Sequence, residues 1–372
     1  MSANFKKHNR LQIATAFSGG LAAVEFALRY ESINHEIIFA CEFDKYARQQ
    51  YLKFHSKPKT FYEDIRLLQA TKYLGLIDLF VWGSPCQDLS LAGKRKGFNG
   101  DKSSLFREGA RVQEEMKPKI FIFENVKGLL SSNGGADYKE VCDTFRTQGY
   151  HIVTLQMNTK DYGVPQNRER IFIIGFLDVD KYHNYKEPKP FKLEKKLKDI
   201  LENNAHEKYY LSEKLIKCFC KKENNFCGEF KTKNIDKEVA NCIDTKEGTR
   251  RTNNFIKLEQ VGMLDIKGQE HTKRVYSSNG ISPSLTTKSG GNTIPKIQTK
   301  SNIRRLTPKE CFRLQGLKDE DIKIVVSDTQ AYKIAGNAIS VNVIQYLLKS
   351  IFEKSEIKTS IFDFINTNLQ LG

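Results

Sequence analysis

Between Gln12 and Gly175, short apolar runs alternate with stretches of helical composition, and no other feature constrains the fold as strongly. LQIATAFSGG leads into LAAVEFALRY, and HEIIFACEFD leads into KYARQQYLKFH. IDLFVWG is followed after a loop by SLFREGARVQEEM and then by KIFIFENV, while DYKEVCDTFRTQGY precedes HIVTLQM and RIFIIGF closes the series. Alternating βαβ units predict a mainly parallel α/β sheet with helices on both faces. Ligands of such sheets bind beyond the carboxyl ends of the strands. Those ends are Phe17–Gly20, Glu42–Asp44, Gly83–Cys86 and Glu124–Val126, and nearly every unusual residue of the first half falls on one of them.

After this series the pattern changes. From about Lys186 to Lys300 the chain is rich in Lys, Asn, Thr and Gly, with short strand-like pieces and no helical period. It reads as a second, irregular, basic domain, as a length of 372 residues leads one to expect. The tail returns to helical text in LTPKECFRLQG and in QAYKIAGNAISVNVIQYLLKSIFEK, whose apolar spacing predicts a packed helix.

Charge then narrows the partners. Sixty Lys and Arg against 44 Asp and Glu leave a net +16, which favours a polyanion, nucleic acid first; a lysine-rich surface kept for solubility is the alternative. No stretch is long and apolar enough to span a bilayer, and MSANFKKHNRLQIATAF lacks a signal-peptide core, so a cytoplasmic protein without membrane contact is expected. The eight cysteines suggest reduced thiols rather than a disulfide framework. Cys218, Cys220, Cys227 and Cys242 cluster, but without paired C-x-x-C knuckles, and no metal is expected there.

Several strand ends carry chemistry. In AFSGGLAAVEFAL, glycines at a strand-to-helix turn let a ligand approach the backbone, or simply make a tight turn. Glu42 stands where a carboxylate would accept ribose hydroxyls, Phe43 could stack on a base, and Asp64 could bond an exocyclic amine; each acid could equally be a surface carboxylate or a helix cap. Cys86 follows Pro85 at a strand mouth, presented rather than packed, and a thiol there needs a partner to act as a nucleophile. Glu124 ends another strand and, if buried, can protonate a ring nitrogen while the thiol attacks an adjacent carbon. Gln166, Arg168 and Arg170 alternate into a strand and so share one face, where arginines could orient that carboxyl and bind substrate, or merely border solvent.

These segments, in this order, resemble the cytosine-C5 DNA methyltransferases of bacterial restriction–modification systems over nearly the whole chain. FSGGLAAVE, CEFD and EDI match the cofactor motifs, GSPCQDLS the Pro-Cys-Gln nucleophile motif, and AGKRKGFNGDKSSLF the active-site loop. ENVKGLL matches the catalytic Glu-Asn-Val, QNRER the Gln-x-Arg-x-Arg motif, and RRLTPKECFRLQG with YKIAGNAISVNV the two closing motifs. The cofactor loop departs from the usual Phe-x-Gly-x-Gly in reading Phe17-Ser18-Gly19-Gly20-Leu21-Ala22.

The resemblance implies a Rossmann-like S-adenosylmethionine-dependent domain of residues 1–185 and 328–372, with a smaller target-recognition domain of residues 186–327. It implies catalysis by Cys86, Glu124, Arg168 and Arg170 on a cytosine flipped out of double-stranded DNA. Arg168 would hold the base and Arg170 would support Glu124. Phe17, Ser18, Gly19, Gly20, Glu42, Phe43, Asp64, Ile65, Pro85, Leu105 and Asn337 would line the S-adenosyl-L-methionine pocket. Lys94, Arg95, Lys96, Arg274, Ser284, Leu285, Gly290 and Gly291 would meet DNA, with Ser284-Leu285 standing where the family often has Thr-Leu. A monomer is expected, with any cognate restriction endonuclease outside a stable complex. One branch of the family methylates transfer RNA and is the nearest rival; a pyrimidine-nucleotide methylating enzyme or an inactive binding module explains fewer of these residues together.

Overall fold

The computed structural model describes residues 10–84, 104–210, 260–263, 274–285, 294, 296–298 and 303–352. Its centre is a seven-stranded sheet in the order β3-β2-β1-β4-β5-β8-β6. The strands are β1 (Leu11–Ala16), β2 (His35–Cys41), β3 (Thr60–Tyr62), β4 (Leu79–Trp82), β5 (Ile120–Val126), β6 (His151–Asn158) and β8 (Glu169–Phe176), with the two-residue β7 (Gln166–Asn167) outside the sheet. The first five pair in parallel, and β8 alone runs against both of its neighbours. The α/β class and mainly parallel sheet expected from the sequence are therefore present.

Side chains of successive strand residues leave on opposite faces, and here each face has its own core. Leu79 and Val81 join a cluster with Phe26 and Ala27 of helix α1 (Ala23–Tyr30) and Phe54 of α2 (Lys45–Phe54). Phe80 and Trp82 join a second cluster with Phe106 and Val112 of α3 (Ser104–Met116) and Phe145 of α4 (Ala136–Thr147). The short α5 (Val179–Asn184) follows β8.

Residues expected in the recognition domain include a four-stranded sheet in the order β13-β12-β10-β9, made of β9 (Gln260–Met263), β10 (Arg274–Ser277), β12 (Lys296–Gln298) and β13 (Ile303–Arg305). Between them β11 (Ser282–Pro283) pairs in parallel with β7. This segment shares the first core: Leu285, Ile297 and Leu306 are buried in the same cluster as Phe26. The part after β13 also docks on the large sheet's helices. Phe312 of α6 (Pro308–Arg313) meets the ring of Phe54 edge-on at 5.7 Å, Arg29 pairs with Asp321 at 2.9 Å, and Gln50 donates to the carbonyl of Lys323.

The tail differs from expectation. Instead of one continuous helix it forms α7 (Asp328–Asn337) and α8 (Val341–Phe352), with Ala338 extended between them at φ −69° and ψ 150°. The physical reason is local competition for carbonyls. Those of Gly336 and Ala338 accept hydrogen bonds from Arg168, and the Val341 N–H donates to Gln315 rather than back along a helix.

Candidate active site

Glu124 lies at the end of β5, one residue past the point where Phe123 pairs with Trp82 of β4. Across the antiparallel ladder, Val126 faces Arg170, so Glu124 and Arg170 are diagonal neighbours on one face. The Arg170 Nε stands 3.0 Å from Glu124 Oε1, with the two side chains only 19% and 15% exposed. Burial raises the pKa of the Glu124 carboxyl above the ordinary carboxylate range, and the charges of Arg170 and Arg168 oppose that rise. A carboxyl so placed can hold a proton against a ring nitrogen and still be oriented by its arginine.

Gly83 makes room for it. A Cβ at that position would sit 3.0 Å from both the carbonyl oxygen and Oε2 of Glu124. The carboxylate thus lies over the backbone that leads from β4 toward Cys86. Pro85, Cys86, Lys94, Arg95 and Lys96 fall outside the described residues, as do Gly290, Gly291 and the cysteines at 218, 220, 227 and 242.

Arg168 is buried, and its two terminal nitrogens are occupied. Nη1 donates to Ser284 Oγ at 3.1 Å and to the carbonyl of Leu285 at 3.3 Å; Nη2 donates to the carbonyls of Gly336 at 3.0 Å and Ala338 at 2.7 Å. Gln166 is tied in a similar way, accepting from the Leu285 N–H at 3.2 Å and donating to the carbonyl of Leu314. The Gln-x-Arg motif therefore lashes residues 282–285 onto the catalytic sheet, a role that sequence reading did not assign. Arg274 opens β10 opposite Met263.

On the other side of β1, the turn Phe17–Gly20 is built from left-handed backbone, with φ of 53° at Phe17 and 67° at Gly19. Ser18 Oγ lies 2.8 Å from Thr15 Oγ1. The N–H groups of Gly19 and Asp44 both donate to Glu42, one to each oxygen at 2.8 Å, so this carboxylate braces the turn. Burial raises its pKa, against the pull of those two donors. Gly20 packs between α2 and α7: a Cβ there would lie 3.0 Å from Ala47 Cα and from Ile334 Cδ1. Lys333 of α7 reaches Asp44 at 2.5 Å, joining the two helices beside Phe43, a residue 73% exposed. Asn337, exposed, ends α7.

Asp64 caps the turn Ile65–Leu67 by accepting from the Arg66 N–H, and both of its oxygens also accept from the Arg66 guanidinium. That pairing holds its carboxyl below the usual range. Ile65 is buried, and Leu105 of α3 packs partly buried against the same core. Arg111, also on α3, supports this turn from behind by donating to the carbonyls of Ile65 and Leu68, each at 3.1 Å. Glu115 holds Arg111 at 2.7 Å and accepts the Ala70 N–H at 2.9 Å. Sequence reading passed over Arg111, because a charge on a helix face carries no signal until its neighbours are known; it placed Gly83 at a strand end without assigning it the contact with Glu124. Among the described residues, no group of His, Cys, Asp and Glu is arranged to hold a metal ion.

Residues 17–353 match the family model described as C-5 cytosine-specific DNA methylase. The chain is 31% identical to the type II methyltransferase M.Bsp6I of Bacillus sp. (strain RFL6), over 92% of this chain and 99% of that protein. It is 31% identical to the type II methyltransferase M.HhaI of Haemophilus parahaemolyticus, over 88% and 90%. In fold it is similar to the Entamoeba histolytica methyltransferase EhMeth, with a TM-score of 0.64, 17% identity and coverage of 92% and 98%.

Proposed function

The chain belongs to the C-5 cytosine-specific DNA methylase family, and on that premise we propose that it methylates C5 of a cytosine within a specific sequence of duplex DNA. The observation that carries this reading is the buried Glu124–Arg170 pair lying over Gly83 at the mouth of β4. An acid held there serves a reaction on a ring that must be protonated as it is attacked.

In the proposed course, the cytosine leaves the base stack and enters the site. The Cys86 sulfur forms a bond to C6 while Glu124 holds a proton at N3, so that the ring electrons move toward C5. C5 then has the character of an enamine carbon and can form a new bond to carbon. Release requires loss of the C5 proton and cleavage of the C6–S bond, which returns the electron pair to sulfur. Arg170 keeps the Glu124 oxygen aimed throughout.

The residues at the ends of β1, β2 and β3 suit S-adenosyl-L-methionine. Glu42 accepts two N–H bonds and, as a carboxylate, has acceptor capacity left for ribose hydroxyls. Phe43 offers an open aromatic face, and the backbone of Ser18 to Gly20 is free of bulky side chains. When bound, that cofactor would supply an electrophilic methyl group. Asp64, Ile65, Leu105 and Asn337 are the further lining residues of this reading; Asp64 would have to share its oxygens with Arg66.

Residues 186–327 would recognise DNA, with their last part, from about residue 304, acting as the dock to the catalytic helices. A net charge of +16 suits that partner. The protein would act as a monomer in the bacterial cytoplasm, one strand per event. A cognate endonuclease, where one exists, would act separately, as restriction–modification pairs do. No described helix is long and apolar enough to cross a membrane.

The test is incubation of the purified protein with methyl-labelled S-adenosylmethionine and, separately, unmethylated duplex DNA and transfer RNA. Label recovered as 5-methyldeoxycytidine supports the reading and, once mapped, gives the target site. Label confined to transfer RNA, or found on an adenine amine, would sink it.

A further inference from the structure

Arg168 joins two parts of the chain that the proposed function uses for different ligands. One arm of its guanidinium holds Ser284, expected to face DNA, and Leu285; the other holds the carbonyls on either side of Asn337. Leu285 is buried in the first core with its N–H and carbonyl both bonded, and so is not available to DNA as the sequence led one to expect. The helix ending at Asn337 is itself fixed to the cofactor side twice more, through Ile334 against Gly20 and Lys333 against Asp44. A shift of residues 284–285 and a shift of α7 are therefore not independent: each moves acceptors of the same rigid, planar group. The cavity beside Arg168, lined also by Thr159, Arg170, Phe172 and Ser340, measures only about 10 Å³. It has space for one water at most.

We propose that Arg168 is a positioning residue that couples duplex binding at Ser284 to cofactor binding along α7, rather than a residue that holds the cytosine. The coupling rests on the DNA methyltransferase reading above. Because linkage is reciprocal, cofactor should tighten DNA binding by the factor with which DNA tightens cofactor binding. Gln166 reinforces the recognition-side arm by accepting the Leu285 N–H, but it does not reach α7.

The experiment measures the affinity of the full-length protein for a duplex carrying its mapped target site, with and without saturating S-adenosylhomocysteine. S-adenosylhomocysteine affinity without DNA is measured alongside by calorimetry. In the wild type the duplex should bind on the order of 5- to 150-fold more tightly in the presence of S-adenosylhomocysteine, the usual span of such couplings. Arg168→Lys, whose single ammonium cannot span four acceptors, should bring that ratio close to one while S-adenosylhomocysteine alone still binds. Ser284→Ala removes one bond of one arm, leaves Arg168 in place and should reduce the ratio in part; it decides the matter if Arg168→Lys fails to fold. A wild type that methylates DNA but binds it equally with and without S-adenosylhomocysteine overturns the coupling, as does a full ratio in both variants. A wild type that transfers no methyl group to DNA instead overturns the function itself.

Discussion

Glu124 and Arg170 lie on adjacent antiparallel strands, joined at 3.0 Å, with the carboxyl pressed over the backbone of Gly83. The pair sits where a parallel sheet delivers its functional groups, at the carboxyl ends of β4 and β5. Removing the acid while keeping its shape tests its part in catalysis. Glu124→Gln should lower kcat by roughly 10²–10⁴-fold, the usual worth of a positioned proton donor, while binding S-adenosylhomocysteine as the wild type does. An amide variant with full activity would show that no proton is held there.

Gly83→Ala tests the same geometry from the other side. Its Cβ would press on both the carbonyl and Oε2 of Glu124 at 3.0 Å, so the carboxyl must shift by tenths of an ångström. We expect a fall in kcat of up to about 10²-fold, as for displaced catalytic groups, with little change in the KM for S-adenosylmethionine. Steady-state kinetics against both substrates reads this out, and an unchanged kcat would mean that the contact is slack.

Arg111→Met removes the two hydrogen bonds that support the carbonyls of Ile65 and Leu68. Leaving such acceptors unpaired costs about 1–3 kcal/mol, and part of that cost should appear as weaker nucleoside binding. Calorimetry should show S-adenosylhomocysteine and free adenosine weakened alike, by about tenfold for each 1.4 kcal/mol. If only the amino-acid end of the ligand lost affinity, the turn would not be the adenine site.

Much of this site was legible in the chain and some was not, for a physical reason. Glu42, Glu124 and Arg170 stand at the ends of apolar runs, and apolar runs announce strands, so their places follow from periodicity. The partners of Arg168 do not, because three of its four acceptors are backbone carbonyls, which every residue carries, and they lie more than a hundred positions away. The break between α7 and α8 was hidden likewise: apolar spacing runs straight through Ala338, and only the competing donors end the helix. Glu25 escaped notice because it reads as an ordinary helix-surface acid, yet it is buried and accepts from the Tyr51 hydroxyl at 2.7 Å.

That burial has a pH signature. Burial pushes the Glu25 carboxyl up to about 7, from 4.5. A folded-state value above the unfolded one means that the folded protein binds the extra proton between these limits. The stabilising contribution is complete below pH 4.5 and is lost as pH rises through 7. Glu25→Gln cannot ionise, so its Tm relative to wild type should climb between pH 5 and pH 8; a constant difference across that range would contradict the assignment.

Arg304 and Glu310 form a fully buried pair, with side chains 2% and 0% exposed, and Glu310 also accepts the N–H groups of Thr307 and Glu202. Breaking such a pair from one side costs about 3–5 kcal/mol. Glu310→Gln should therefore lower the denaturation midpoint markedly without altering the methylated site, as mapped on surviving folded protein. A midpoint within error of wild type would mean that the pair contributes nothing to the dock it anchors.

The most direct test of the account is a duplex in which the target cytosine carries fluorine at C5. The proposed reaction passes through a Cys86–C6 bond whose release depends on losing a proton from C5, and fluorine cannot leave as one. With S-adenosylmethionine present, the wild type should form a denaturation-resistant complex with a mass equal to protein plus methylated strand, and Cys86→Ala should form none while still binding S-adenosylhomocysteine. Methylation of ordinary duplex by Cys86→Ala, or a wild type that turns over without ever trapping the fluorinated strand, would contradict it.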